Sequence, residues 1–575
     1  MNKRVLSIFV MILFFSNANY ATIYVVDQKN RSANDAGPGT EKQPFKTIGA
    51  AVNKVRAGDI IRIRAGIYRE SVNFKASGTK DSLITVEVAD PGKVIMRGSV
   101  VVSGWKRVES PSPVYLHEGW TKYFGPRTPG EKDARGKPRN QLFSDGTYIE
   151  EVFQPENLKE NSFYIDKEKQ QIHLWLSKGE DPNKKMIELS DREYLFNIIS
   201  KDYVVLRGIM FEHGTCAAQR PIVRVTGNNC LIEDCKISWV AATGLSLSGR
   251  NNIVRRCVFN NNGQQGFVVS SSADCRLEDC ESSYNNWHPN KSFSFTWEAG
   301  GNKIARSYKL VIERHQAYNN NGNGIWFDIS NNDCEIKNCV CTGNKKHGIE
   351  WEISYKAYIH DNVVIGNSNE GILIAESIGP VIERNIMLDN LNGLTFRDML
   401  RTTSSAVDAT LSRGKEEAIW NHNEVINYNV MAFNKNCQVK GAFLNKIERL
   451  MPTALQKRRA DNQRVDSVIL DAQDYQAVDE QGQPLGLSLE KLNIKVDNNI
   501  YWGGTNRVLY QWGDLKFESL EQIRNNLNFE ENGKIIDPRF ADWKNLDLRV
   551  PKDSPLLRAG CYPKGEIPGV KLGVQ

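Results

Sequence analysis

Beyond its first fifteen positions the chain has no apolar run approaching the roughly 20 residues that a membrane-crossing helix needs, so no span is expected in the mature chain. Neither sign of charge prevails. Lys and Arg number 74 against 68 Asp and Glu, a formal net charge of +6. That balance excludes a nucleic-acid partner and gives only slight encouragement for an acidic one. The one dense basic run, Lys457, Arg458, Arg459 and Arg464, reads as a solvated loop or helix face. A disulfide framework is also not expected, despite eleven cysteines. Such frameworks serve small domains without a core, and this chain has 575 residues with 40% hydrophobic side chains, enough to exclude disorder.

What is present begins with Lys3 and Arg4, an apolar stretch from Val5 to Phe15, and small and polar residues from Ser16 to Ala21. This is the layout of a secretory signal peptide over residues 1–21, with no cysteine just after it to take a lipid. The mature chain is therefore expected to be secreted or periplasmic.

Internal repetition sets the architecture. The segments LIEDCKIS, IVRRCVFN, RLEDCESS, VIERHQAY, EIKNCVCT, YIHDNVVI and VIERNIML share an anchor at Cys235, Cys257, Cys280, His315, Cys339, Asn362 and Asn385, at separations of 22, 23, 35, 24, 23 and 23. One period holds throughout, with a single insertion. A period near 23 also suits leucine-rich repeats, but these units lack regular leucines and carry Val, Ile, Asn and Gly, as short strands with tight turns do. The expected fold is all-β, a right-handed parallel β-helix. Its anchors would stack one strand spacing apart, with the cysteines as buried thiols and a Cys235–Cys257 disulfide as the alternative.

A second ladder, Gly244, Gly266, Gly324, Gly348, Gly371 and Gly393, repeats at 22, 58, 24, 23 and 22, where 58 is two rungs plus the insertion. Strand side chains alternate faces. Ile325, Phe327 and Ile329, then Ile349, Trp351 and Ile353, then Ile372, Ile374, Leu394 and Phe396 are expected to face the core. Trp326, Asp328 and Ser330, then Glu350, Glu352 and Ser354, then Thr395 and Arg397 face outward. In the insert-bearing rung FSFTWEAGG, the same alternation turns Phe293, Phe295 and Trp297 inward and Glu298 outward. Three acids, Glu298, Asp328 and Glu352, then share one column.

The expected organisation is a signal peptide (1–21), an N-terminal cap with the first rungs (22–104), a β-rich insertion (105–195), the central helix (196–400), an irregular block (401–495) and final rungs with a C-terminal cap (496–575). Within the cap, Ile48, Ala51, Val52 and Val55 have helical spacing, as a short amphipathic helix closing the open end of the solenoid requires.

Stacked carboxylates suit glycosidic hydrolysis, where a separation of about 5 to 5.5 Å belongs to retention and about 6.5 to 9.5 Å to inversion. Asp328 and Glu352 on adjacent rungs favour a retaining pair; Glu298 with Glu352 would fit inversion. Crowded like charges raise at least one pKa, as an acid needs. Glu350 is the second choice for that acid. Trp326 offers a platform for a sugar ring, and Lys303 or Arg397 a partner for a carboxylate. No cofactor is expected, although the three acids could instead hold calcium. Two other readings compete. One is a polysaccharide lyase recruiting Lys303, His347 and Arg397; the other is a non-catalytic carbohydrate-binding protein.

The segments PGTEKQPFKTIGAAV, AGDIIRIRAGIYRE, ADPGKVIMRGS and SGWKRV resemble the opening of secreted right-handed β-helix proteins of the pectate-lyase-like superfamily, including the β-xylosidases of glycoside hydrolase family 120. GIWFDIS and EWEIS resemble that family's strands carrying the nucleophile Asp and the acid/base Glu, which by resemblance implies those roles for Asp328 and Glu352. The centre is also similar to secreted β-helix proteins with the runs EAG, a nearby Lys, GLW-x-D and HEISY. They correspond here to Glu298, Ala299, Gly300, Lys303, GIWFDIS and WEISY. The resemblance covers residues 22–100 and 200–400. It departs at Ser330, Asn331 and Asn332, where the xylosidases carry aromatic and acidic residues, and in the spacing of the two acids, one residue longer here. An oligosaccharide or polysaccharide is the implied substrate.

Overall fold

The computed structural model describes residues 21–575 apart from 110–111, 399–400, 407–413, 415–416, 443–492, 504–506 and 514. The expected signal peptide apart from Ala21, the basic run at 457–464 and most of the expected irregular block lie outside the described residues.

Three sheets of thirteen strands each run the length of the solenoid. Away from the two ends, each rung contributes one strand to each sheet. A representative rung holds Val311–Glu313, Gln316–Tyr318 and Ile325–Asp328; the next holds Cys334–Lys337, Val340–Thr342 and Ile349–Glu352. All pairings within the three sheets are parallel except the last of the third, where Tyr510–Trp512 meets Leu515–Phe517 antiparallel. The chain is thus a right-handed parallel β-helix, as its period requires.

The anchors fill the interior. Cys235, Cys257, Cys280, His315, Cys339, Asn362 and Asn385 are all buried, and all eleven cysteines are free, so the alternative of a Cys235–Cys257 disulfide is not realised. Where asparagine takes over, each side chain bonds the next rung: Asn362 Nδ2 donates to Asn385 Oδ1 at 2.9 Å, and Asn385 Nδ2 to Asn429 Oδ1 at 3.0 Å. A buried amide is tolerated here because stacking satisfies both of its ends.

Both ends of the core are closed. Ile48–Val52 forms the expected helix, capped by the Thr47 side chain, with Ile48, Ala51 and Val52 buried. At the other end the helix Leu520–Leu527 starts at a Ser519/Gln522 capping box and buries Leu520, Ile523 and Leu527. The tail then returns along the second sheet. Leu548, Val550, Leu556 and Ile567 pack on Val363, Ile365, Ile386 and Leu388, so those strands are buried on both faces. An eight-stranded, mostly antiparallel sheet between Ser99 and Ser190 stands off the N-terminal rungs around its own core of Leu142, Phe163, Leu174 and Leu189.

Candidate active site

The third sheet presents its outer face between that eight-stranded insertion and a hairpin, Arg401–Thr403 with Glu417–Ile419. Two adjacent strands carry the acids, with Trp326 paired to Glu350 and Asp328 to Glu352 in register. Inward, Ile325, Phe327, Ile349 and Trp351 join the main core, so hydrophobic burial fixes which face the acids take. The strands end there. Ile329, Ser330 and Ile353 have φ of 54°, 63° and 49°, a left-handed backbone that costs a β-branched residue energy. Ile329 and Ile353 therefore turn out of the alternation expected of them. They pack instead with Tyr355, Ile378 and Ile419 in a small cluster beneath the hairpin.

The insert-bearing rung differs from its sequence pattern. Its strand is Gly300–Tyr308, not FSFTWEAGG. Ile304 pairs with Phe327, which sets Ala305, not Glu298, alongside Asp328. Phe293 is buried as expected, whereas Phe295 is exposed. Glu298 sits before the strand at φ 49° and reaches the site only through Lys303. The three-acid column is therefore a two-acid column with a third carboxylate at its edge.

Lys303 Nζ lies 2.8 Å from Asp328 Oδ2 and 3.3 Å from Glu298 Oε1. Burial pulls its pKa down, but Asp328 and Glu298 outweigh that and hold the ammonium above its usual range. It stands between these carboxylates, where a calcium ion would have to sit. Among the described residues no group of three or more His, Cys, Asp or Glu side chains is placed to hold a metal. Asp328 Oδ1 is buried and has no partner among the described residues.

Trp326 is not an open platform; it is 3% exposed, with Lys303 and Lys346 at 4.5 and 5.0 Å from its ring. Its indole N–H donates to Glu352 Oε2 at 3.1 Å. Glu350 is held by Lys346 Nζ at 3.1 Å and by the Asn323 amide, both on Oε2. Arg397 Nη2 lies 3.5 Å from Glu350 Oε1 and 3.6 Å from Glu352 Oε1, and Arg401 Nη1 lies 3.9 Å from Glu352 Oε1.

These surroundings drive the two glutamates apart. Burial raises Glu350, but Lys346, His347 and Arg397 overcome it and hold the group below its usual range. Glu352 is pushed up to about 8 by burial, then by Asp328 and Glu350, against the opposing pull of Arg401 and Arg397. Glu352 is thus biased towards its protonated form beside Asp328, which Lys303 salt-bridges, and that is the division of labour that acid–base and nucleophilic chemistry at a single centre needs. His347 is buried with Nδ1 2.6 Å from Glu370 Oε2.

Lys346, Asn323 and Arg401 complete the site. Lys346 had a signal in the sequence, four residues before Glu350, and Asn323 directly precedes a ladder glycine; Arg401 comes from a hairpin that no repeat announces.

A family model for a right-handed β-helix region matches residues 222–387, and one for a protein family of unknown function, DUF1565, matches residues 31–75. The uncharacterized protein YwoF of Bacillus subtilis is 33% identical over 72 residues, a match spanning 12% of this chain and 15% of that protein's length. Among solved structures, the complex of XylC with xylose superposes with a TM-score of 0.66 at 16% identity, over 90% of this chain and 87% of that one. A glycoside hydrolase superposes with a TM-score of 0.50 at 14% identity, over 65% and 95%.

Proposed function

We propose that this right-handed parallel β-helix protein is a secreted retaining glycoside hydrolase acting on polysaccharide-derived oligosaccharides. The observation that carries the reading is the register pairing of Asp328 with Glu352. It sets their backbones one strand spacing apart, about 4.8 Å, close to the roughly 5 to 5.5 Å between carboxyl groups of retaining enzymes. Their environments divide the roles. Asp328, salt-bridged to Lys303 and with Oδ1 unpartnered, attacks the anomeric carbon. Glu352, kept protonated, gives its proton to the departing glycosidic oxygen as that bond breaks. Glu352 as carboxylate then takes a proton from water, whose oxygen replaces Asp328 at the anomeric carbon.

The fold relatives, one bound to xylose and one a glycoside hydrolase, accord with this reading. β-Elimination fits the side chains less well. Lys303 is kept charged between two carboxylates, so it is not free to take a proton.

Product release from an oligosaccharide panel, followed by reducing-end assay and by proton NMR of the first-formed anomer, tests the reading. Asp328→Asn and Glu352→Gln are each expected to lose activity by orders of magnitude while remaining folded, with azide restoring turnover of a Glu352→Gly enzyme on an activated substrate. Wild-type turnover in both variants, or an inverted first product, would sink it.

A further inference from the structure

Residues 287–299, the stretch that interrupts the repeat, contain no strand or helix; the strand of their rung begins at Gly300. What holds them comes from the eight-stranded insertion. Lys291 Nζ donates to the Asn140 carbonyl oxygen at 3.0 Å and pairs with the buried Glu151. Ala134 N–H donates to Ser292 O at 3.2 Å, and Ser294 N–H to Asp133 Oδ2 at 3.3 Å. The Arg135 guanidinium lies 4.3 Å from the centre of the Trp297 ring, which is itself stacked on Phe293 at 5.9 Å. Asp133 fixes that guanidinium in turn, with Arg135 Nε 2.9 and 3.1 Å from its two oxygens.

The held segment ends at the acid pair. Glu298 follows Trp297 directly. Its φ of 49° and the 124° of Gly300 make a turn that persists only where its surroundings impose it. Ala299, between them, packs with Ala134, Ala218 and Phe293. Among the described residues Glu298 makes one ion pair, to Lys303 Nζ at 3.3 Å, and the same ammonium lies 2.8 Å from Asp328 Oδ2. Lys303 is therefore balanced between two carboxylates. Sheet register sets the place of one, Asp328. The other lies outside every strand. Were Glu298 to move away, the ammonium would answer to Asp328 alone and stabilise its charge more fully, leaving a weaker nucleophile.

We infer that Asp133 and Arg135 form a clamp that, through Trp297, fixes Glu298 and so sets Lys303 against Asp328. They are positioning residues of the inserted sheet, acting on the nucleophile through two others. The effect on turnover rests on the glycosidase reading; the placement of the segment does not.

The test is a double-variant cycle on the full mature chain, with turnover of a saccharide substrate and backbone hydrogen exchange as readouts. Arg135→Ala is expected to lower kcat by about tenfold to a hundredfold, the scale of a small misplacement at a reacting centre, with KM little changed. Arg135→Lys, which can still set a cation over the indole, should recover part of the loss. Glu298→Gln should lower kcat as well, and adding Arg135→Ala to it should cost little more, because both act through one contact. A merely structural arginine would give multiplying losses. Hydrogen exchange, which needs no substrate, should quicken over residues 294–303 in Arg135→Ala and stay as in the wild type over residues 381–388. Multiplying losses, full activity of Arg135→Ala, or unchanged exchange at 294–303 would each overturn the clamp. A wild-type enzyme that turns over no saccharide rejects the glycosidase reading alone, and faster exchange at 294–303 then still upholds the clamp.

Discussion

Trp326 donates its indole N–H to Oε2 of Glu352 across adjacent rungs at 3.1 Å, so a carboxyl that burial and its acidic neighbours make hard to ionise is also fixed in orientation. Asp328 lies beside it in the same column, and Glu350 two residues before it on the same strand.

The first prediction follows from those neighbours. Burial, Asp328 and Glu350 push Glu352 up to about 8. The acid must be protonated to act, so kcat/KM should hold below that value and fall as pH rises through it, since this profile reports the free enzyme. Glu350→Gln removes one negative neighbour and releases Lys346, and both changes favour the Glu352 carboxylate. The alkaline limb should move to lower pH. A limb that stays where it was would show that Glu352 is not the group titrating.

Lys303 bears on both stability and chemistry. It is 13% exposed and bridges Asp328 and Glu298. Lys303→Met keeps the length of the stem over Trp326 but leaves Asp328 buried without its counter-charge. Removing one partner of a buried pair costs about 3 to 5 kcal/mol, so the denaturant midpoint should fall. A double variant, Lys303→Met with Asp328→Asn, should recover much of that loss without recovering activity. No recovery would mean that the lysine matters through its packing on Trp326 instead.

Glu376 and Glu424 are fully buried, and neither carboxylate oxygen of either residue has a partner among the described residues. Burial raises both well above the ordinary carboxylate range. Between the unfolded-state pKa and the raised folded one, the native chain holds a proton that the unfolded chain has lost. Stability therefore falls as pH rises through that window. Glu376→Gln should change the unfolding free energy, read from urea denaturation, little at pH 4 and raise it at pH 9 by about 1 to 3 kcal/mol, the cost of an unsatisfied buried group. Equal shifts at both pH values would remove titration as the cause.

Much of this was legible in the sequence because a rung is a local unit. Three short strands and their turns consume about the same number of residues each time, so Cys235 through Asn385 and the glycine ladder report the stacking directly. Parity then placed Asp328 and Glu352 on one face. The misplacement of Glu298 has a physical origin. The alternation in FSFTWE fits a strand, but burial of Phe293 without Phe295 shows that no sheet holds it. The rung is set instead by Gly301, 35 residues after Gly266 and 23 before Gly324, which closes the gap of 58. Long-range partners such as Arg401 leave no periodic trace, and the covering of Trp326 by two lysines depends on rotamers that spacing does not specify.

Gly301 gives the last prediction. A Cβ there would stand 2.2 Å from the Gly324 carbonyl oxygen and 2.8 Å from Ser282 Oγ. The first is backbone of the next rung, which cannot swing aside as a side chain can. Gly301→Ala must therefore push the two strands apart or shift one of them, and overpacking of this kind costs about 1 to 3 kcal/mol. The shift falls two residues before Lys303 on the same strand, so the Lys303 contact with Asp328 should loosen and activity should drop further than the stability loss explains. Gly104→Ala is the control. It has a φ of 79° but nothing within 4 Å of its Cβ, so it carries backbone strain without a clash and lies far from the site in the chain. If Gly301→Ala lost no more activity than Gly104→Ala at matched loss of stability, the close approach of the ladder glycines would not be what positions the site.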